Sequence, residues 1–464
     1  MKTTIRSLGL VILGAGLFTG CAQKPPASSW SFDKSEASAQ LKAFVAEKEA
    51  QANAATRAEG GEMLPEFKSL FAAAGKGDWL TVSNLFADLH NRAPQYEHSG
   101  ASDPRLRGPQ WQALLETEGA LEQFANGDEK YEIAFGHDII QSIPPGSIYF
   151  GGTDPGRFLV TALQKSQVDG DPFFTLTQNA LADATYLHYL SSMYGGKIYI
   201  PTSEDLQRCF QDYVQDAQQR LEQGQLKPGE DVRQVNGHVQ VSGQVAVMEI
   251  NGLMVKIIFD KNPDREFFVE ESFPLDWMYP HLEPHGLIMT IDRQPLAVMP
   301  AEMVQRDHDY WSGYVRPMIG DWLNDDTSVG AVTAFTKKIF VQHDFSGFTG
   351  DPQFVQNDYS CKTFSKLRSS IAGLYAWRMK HAANEAEKEQ MAQAADFAFR
   401  QAIALCPYSP EAVFRYTDFL VSRNREDDAI LVAETAAQMP ELSGRDGDQV
   451  RALVDQLQQN PGAK

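Results

Sequence analysis

The residues best placed by type and spacing to do chemistry lie between positions 150 and 183. Phe150-Gly-Gly-Thr-Asp-Pro-Gly-Arg157 follows a short apolar run, Ser147–Phe150, and leads into a helical one, Phe158–Ser166. A strand that passes through glycines into a helix offers N–H groups and the positive end of the helix dipole to an anion. Arg157 would add a charge there. The segment lacks the Lys-Ser/Thr ending of a P-loop, its glycine spacing is not that of a dinucleotide fingerprint, and Asp154 would oppose a phosphate. The same residues also suit a tight turn and a capped helix, with Thr153 or Asp154 as N-cap and Pro155 at N1, and the sequence favours that structural reading. The candidate ligand site is Gly151, Gly152, Thr153, Asp154 and Arg157, joined by Asn179 and Asp183 after the next strand. Open α/β sheets bind ligands at this carboxyl edge, where Asp154, Asn179 and Asp183 would offer oxygens to a cation or to sugar hydroxyls.

Other chemistry-bearing residues are less well arranged. Glu270 and Glu271 fall on a strand, so their carboxylates are expected on opposite faces. His281 and His285 are four apart, but Pro284 breaks any helix that would align them. No Ser-His-Asp order, HExxH or CxxC occurs. No catalytic residue, metal or cofactor is therefore expected. Buried packing is the expected role of Cys209, Cys361 and Cys406, with their disulfide state left open.

The elements that must position the candidate site alternate. Ser147–Phe150, Phe173–Thr177 and Lys197–Ile200 read as strands, and Ala182–Met193 and Ser203–Gln223 as helices, Ser203 and Glu204 serving as cap and first-turn acid. Such alternation predicts an α/β unit with a mostly parallel sheet. Ser242–Asp260 suits a helix or a strand, and Ser242 as cap with the Asn262-Pro263 stop favours the helix. Phe267–Glu270 and Gly286–Ile291 read as closing strands around a short helix at Leu275–Leu282. Upstream, a helix at Lys34–Ala58, a helical hairpin over 64–93 and a helix at Pro109–Asn126 are expected. Downstream, Trp311–Leu323 and Gly330–Phe340 read as helices and Gly347–Asp358 as a loop, with helix from Thr363 almost to the end.

The N-terminus carries an address. Lys2 and Arg6 precede an apolar stretch, Leu8–Phe18, too short to span a bilayer, and the segment closes on Phe18-Thr19-Gly20-Cys21. Small residues before a cysteine resemble a bacterial lipobox, although Phe18 is atypical. Cys21 is the expected lipidation site, and the Ala and Gln after it point to the outer membrane. Each buried CH₂ of an acyl chain contributes roughly 0.8 kcal/mol, so multiple acylation, for example with palmitate, would anchor the chain in the lipid bilayer.

Near the C-terminus, Ala395, Phe399, Ala402 and Pro407 have the small–aromatic–small–proline spacing of a tetratricopeptide repeat's second helix. Ala429, Ala433 and Ala436 recur 34 residues after Ala395, Phe399 and Ala402. Small residues let helices approach closely, and an aromatic fills the groove between hairpins. Ala433 replaces the usual aromatic, so the second repeat is degenerate.

Composition sets the outer bounds. With 43% hydrophobic and 22% charged residues the chain is globular rather than disordered, and its net charge of −20 excludes phosphate-backbone binding, hence nucleic acid. The charge becomes two units more negative once Lys2 and Arg6 are removed. The expected organisation is a signal peptide at 1–20, a tether at 21–61, a helical hairpin region at 62–128, an α/β domain at 129–300, a helical connector at 301–355 and tetratricopeptide-like repeats at 356–464.

Residues 131–296 resemble the extracytoplasmic α/β region of bacterial membrane proteins related to protein O-mannosyltransferases. The resemblance rests on GSIYFGGTDPGR (Gly146–Arg157), TQNALADATYL (Thr177–Leu187), FVEESFPLDWMYPHLEPHGLIMTI (Phe268–Ile291) and KLRSSIAGLYAWR (Lys366–Arg378). It implies a soluble accessory domain followed by repeats. The transferase portion of such proteins spans the membrane many times, and no apolar stretch after Cys21 is long enough to span, so transferase activity is not carried over. The expectation is a non-enzymatic envelope lipoprotein that binds an envelope protein or peptide through its helical repeats and is linked to glycan or glycoprotein processing. The alternative is a soluble enzyme or a binder of an anion, sugar or cation at the carboxyl edge of the sheet.

Overall fold

A computed structural model describes residues 34–96, 102–108, 110–127, 130–227, 229–235, 238–271, 277–442 and 444–459. The expected signal peptide, Cys21 and the first part of the expected tether lie outside these residues. The chain divides into two units rather than the expected series of segments: residues 34–125 with 144–267, and 126–143 with 268–459.

The first unit begins with α1 (Lys34–Ala58), α2 (Pro65–Ala74), α3 (Trp79–Arg92) and α4 (Gln110–Asn126). Helix α1 was expected as part of a tether, but it buries Phe44, Val45, Lys48 and Ala52, and belongs to the body of the unit. Its Ala- and Gln-rich surface hides one narrow apolar stripe, and that stripe is enough to dock it. The following α5 (Glu132–Ser142) belongs to the second unit.

Next come β1 (Ile148–Gly151), α6 (Val160–Leu163), β2 (Phe174–Thr177), α7 (Ala184–Tyr194), α8 (Ser203–Gln223), β3 (Asp231–Val235), β4 (His238–Ser242) and α9 (Gly243–Lys261). Strands β1 and β2 are fully buried and pair in parallel from Ile148↔Phe174 to Gly151↔Thr177. Helix α8 has the expected ends, fixed by a Thr202–Asp205 capping box and by Gly224 in the left-handed region. The expected strand at Lys197–Ile200 is absent. Tyr199 instead bonds the Asn262 side chain, which accepts its N–H at 2.7 Å and donates to its carbonyl at 3.2 Å. The β3–β4 hairpin was not expected, and it converts Ser242 from a helix cap into a partner of Asp231, 2.5 Å away.

The second unit adds β5 (Phe267–Val269), which straddles the division, then β6 (Leu282–His285) and β7 (Ile288–Ile291). Its helices are α10 (Ala301–Ile319), α11 (Val329–Thr336), α12 (Pro352–Val355), α13 (Asp358–Lys380), α14 (Glu385–Leu405), α15 (Pro410–Ser422), α16 (Glu426–Ala437) and α17 (Gly444–Gln459). The five-stranded sheet runs β2-β1-β5-β7-β6. Because β7 pairs antiparallel with both β5 and β6, the sheet is mixed, not mostly parallel. A two-residue turn at Gly286-Leu287, with Gly286 at φ +75°, makes β6–β7 a hairpin. Pro284 hid β6 from the sequence reading, yet β6 is an edge strand, where a missing N–H is tolerated. Of the helix expected at Leu275–Leu282, Tyr279–His281 forms one 3₁₀ turn, Leu282 opens β6, and 272–276 lie outside the described residues. Helix α10 starts ten residues before the expected Trp311, and the expected loop at Gly347–Asp358 contains α12. Among the described residues no helix is long and apolar enough to cross a membrane.

Candidate functional site

The glycine junction after β1 does not open onto a long helix. It closes into a π-turn, Pro155–Leu159, that runs into the four-residue α6. Thr153 Oγ1 accepts the Gly156 N–H at 2.7 Å and the Thr153 carbonyl accepts the Arg157 N–H at 2.9 Å, so the expected free anion cradle is filled by the chain itself. Tyr149 Oη donates to the Gly156 carbonyl at 3.1 Å. A Cβ on Gly151 would lie 2.8 Å from the Gly156 oxygen, which is why a glycine ends the strand. Thr153 thus caps, as the structural reading held.

What the turn does present is Arg157. Its side chain is buried at 7% residue exposure, lies 4.1 Å from the Phe158 ring centroid and donates from Nη2 to Asp154 Oδ1 at 2.9 Å. Its Nε has no hydrogen-bond partner. Asp154 is half-exposed beside it.

Helix α4 supplies the groups the sequence reading missed. A Cβ at Gly119 would come within 2.2 Å of the Phe158 ring, so this glycine lets α4 close onto the turn. Glu118 and, one turn on, Glu122 are then held near Asp154 and Arg157. Burial pushes Glu118 up to about 8, with Glu122 and Asp154 adding repulsion that Arg157 only partly offsets. Burial and Asp154 also raise Glu122. The sequence signal was a like-charged i,i+4 pair beside a mid-helix glycine, an unfavourable choice for a helix that had no other task.

The end of β2 forms the other side. Thr177 N–H donates to Tyr186 Oη at 2.6 Å. Gln178 is fully buried with neither amide atom partnered. Asn179 Nδ2 donates to the Gly152 carbonyl at 3.3 Å, which ties the two strand ends together, while its Oδ1 is unpartnered. Asn251 of α9 clamps this turn, donating to the Asn179 carbonyl at 3.0 Å and accepting the Ala182 N–H at 2.6 Å. Asp183 caps α7 through the Thr185 N–H at 2.7 Å. Tyr96 joins from the loop after α3. It stacks on His90 at 3.8 Å and accepts from Trp111 Nε1 at 3.2 Å. Burial raises its hydroxyl, with Asp183 and Glu118 adding to the rise and Arg157 opposing it. The predicted residues Asp154, Arg157, Asn179 and Asp183 therefore share one locality, whereas Gly151, Gly152 and Thr153 build its floor.

A second ionic cluster in the same unit is closed. Lys48 of α1, at 0% exposure, pairs with Glu116 Oε2 at 2.6 Å, donates to Tyr189 Oη at 2.8 Å and bonds Gln167. Tyr189 Oη donates in turn to Glu116 at 2.6 Å.

In the second unit β5 ends at Val269, so strand alternation does not separate Glu270 and Glu271, and both are buried. Burial pushes Glu271 up to about 7 despite its ion pair with Arg415. His281 Nδ1 lies 2.7 Å from the Asp292 carbonyl, and burial holds His285 down at about 4. Cys209, Cys361 and Cys406 are buried and free, and burial raises all three thiols, so none is a ready thiolate. Ala395, Phe399, Ala402, Pro407, Ala429, Ala433 and Ala436 are all buried. Among the described residues no three His, Cys, Asp or Glu side chains are grouped to hold a metal ion. No family model, curated protein or solved structure matches the chain.

Proposed function

We propose that the first unit binds a small polar ligand at the carboxyl edge of β1 and β2, among Asp154, Arg157, Asn179, Glu118 and Tyr96. One observation carries this reading. A guanidinium nine-tenths out of water keeps an unmet N–H beside half-exposed carboxyl and amide groups, which is costly unless something else meets it. Stacked aromatic rings next to leftover donors and acceptors suit a ligand with both an apolar face and polar edges. The test is thermal shift of the full chain against a panel of sugars, anions and amines, repeated on Arg157→Met and Asp154→Ala. A ligand that raises Tm in the parent and in neither variant supports the reading. A ligand that acts equally on all three excludes this site.

A second reading concerns the envelope. Close packing of Ala395, Ala402, Ala429 and Ala433, with Phe399 stacked 5.3 Å from Tyr416, supports α14–α16 as degenerate tetratricopeptide-like repeats that hold a partner peptide. The lipobox-like Cys21 and the resemblance of residues 131–296 support a lipid-anchored, outer-membrane role connected with glycans. Cys21→Ser should release the chain from membranes, and truncation after Asn357 should abolish capture of an envelope partner.

A further inference from the structure

The site has a charge imbalance that narrows its ligand. Glu118, Glu122, Asp154 and Asp183 contribute four carboxyl groups to this locality, and Arg157, ion-paired with Asp154, is the cation that acts on Glu118. Asp154 Oδ1 already takes Nη2 of that guanidinium. Glu118 and Glu122 stand one turn apart on α4, which carries no Lys or Arg, and the charge of Asp154 acts on both. Tyr96, stacked on His90, borders the same group. Burial and the repulsion from Glu122 and Asp154 favour a proton held on Glu118. A ligand that brings a positive charge would take over that role. Arg157 Nε, by contrast, asks for an oxygen acceptor rather than a second cation.

We propose that the ligand carries a protonated amine alongside hydroxyl oxygens, as an amino sugar or amino alcohol does, with the ammonium among Glu118, Glu122 and Asp154 and an oxygen on Arg157 Nε. This deepens the reading of the site given above and rests on it. Binding then displaces the Glu118 proton: the carboxyl O–H bond breaks, the proton leaves to buffer, and the carboxylate pairs with the ammonium.

The experiment is calorimetric titration of the full chain at pH 7 in two buffers of different ionisation enthalpy. The probes are glucosamine, N-acetylglucosamine and glucose. Glucosamine is expected to bind at least about ten-fold tighter than the other two, with net release of between about half and one proton, and to tighten as pH rises toward about 8. Glu118→Gln should abolish proton release and remove most of the preference for glucosamine over N-acetylglucosamine. Equal binding of all three probes without proton release would overturn the amine inference and leave the ligand site standing. Failure of all three to bind, with no ligand from the wider panel sensitive to Arg157→Met, would overturn both. Spermidine binding as tightly as glucosamine would overturn the hydroxyl part alone.

Discussion

Two carboxylates on one helix meet opposite fates. Glu116 and Glu118 stand two residues apart on α4, so their side chains leave the axis about 200° apart. Glu116 enters a closed cluster in which Lys48 balances its charge and Tyr189 and Gln167 complete its hydrogen bonds. Glu118 enters a half-open one in which acids outnumber the single guanidinium and several polar atoms are unmet. The first cluster is balanced and sealed, as a structural ion pair must be to offset its desolvation. The second is neither, and the proposed ligand site rests on that imbalance at a solvent-reachable edge.

Breaking the closed cluster should have the largest effect. Lys48→Met leaves Glu116 buried without its counter-charge and should cost about 3–5 kcal/mol in denaturant unfolding. Adding Glu116→Leu should restore much of that loss, because apolar replacement of both partners is often neutral. A single variant as stable as the parent would show the pair is not buried. Gly119→Ala comes next. Its methyl meets the Phe158 ring, so it should cost about 1–3 kcal/mol and loosen the packing that holds Glu118 by Arg157.

Glu118→Gln should act with the opposite sign. The native chain holds a proton up to about pH 8 that the unfolded chain gives up near 4.5, so stability falls as pH rises between those values. Removing the titration should therefore flatten that part of the curve and stabilise the protein at pH 9 by about 1–3 kcal/mol, the full shift being cut by partial exposure. The smallest change is expected from Asp154→Asn, about 0.5 kcal/mol in stability. It should nonetheless lower the midpoint of Glu118, because one of the two repelling carboxylates is gone.

The comparison also explains what the sequence disclosed. Helices α1 and α8 were legible to their ends, since caps and periodicity are local signals. The Gly151–Arg157 turn was legible as a turn, and Asp154, Arg157, Asn179 and Asp183 as neighbours, since parallel strands align their carboxyl ends. Lys48 was not legible. One lysine in an Ala- and Glu-rich helix looks solvated until Glu116, Gln167 and Tyr189, all distant in sequence, surround it. Glu118 was missed for the same reason, as its partners come from a turn more than thirty residues away. The β6 strand and the β3–β4 hairpin were hidden differently. Pro284 argued against a strand. Asn236-Gly237 between Val-rich alternating runs was a hairpin signal that the helix reading of Ser242–Asp260 overshadowed.

The most direct measurement is a carbon-13 NMR titration of the Glu118 side-chain carboxyl in the full chain, assigned through Glu118→Gln. The account predicts a midpoint near pH 8 that drops when glucosamine is added, as the ammonium takes the place of the proton. A midpoint between 4 and 5, unmoved by glucosamine, would contradict it.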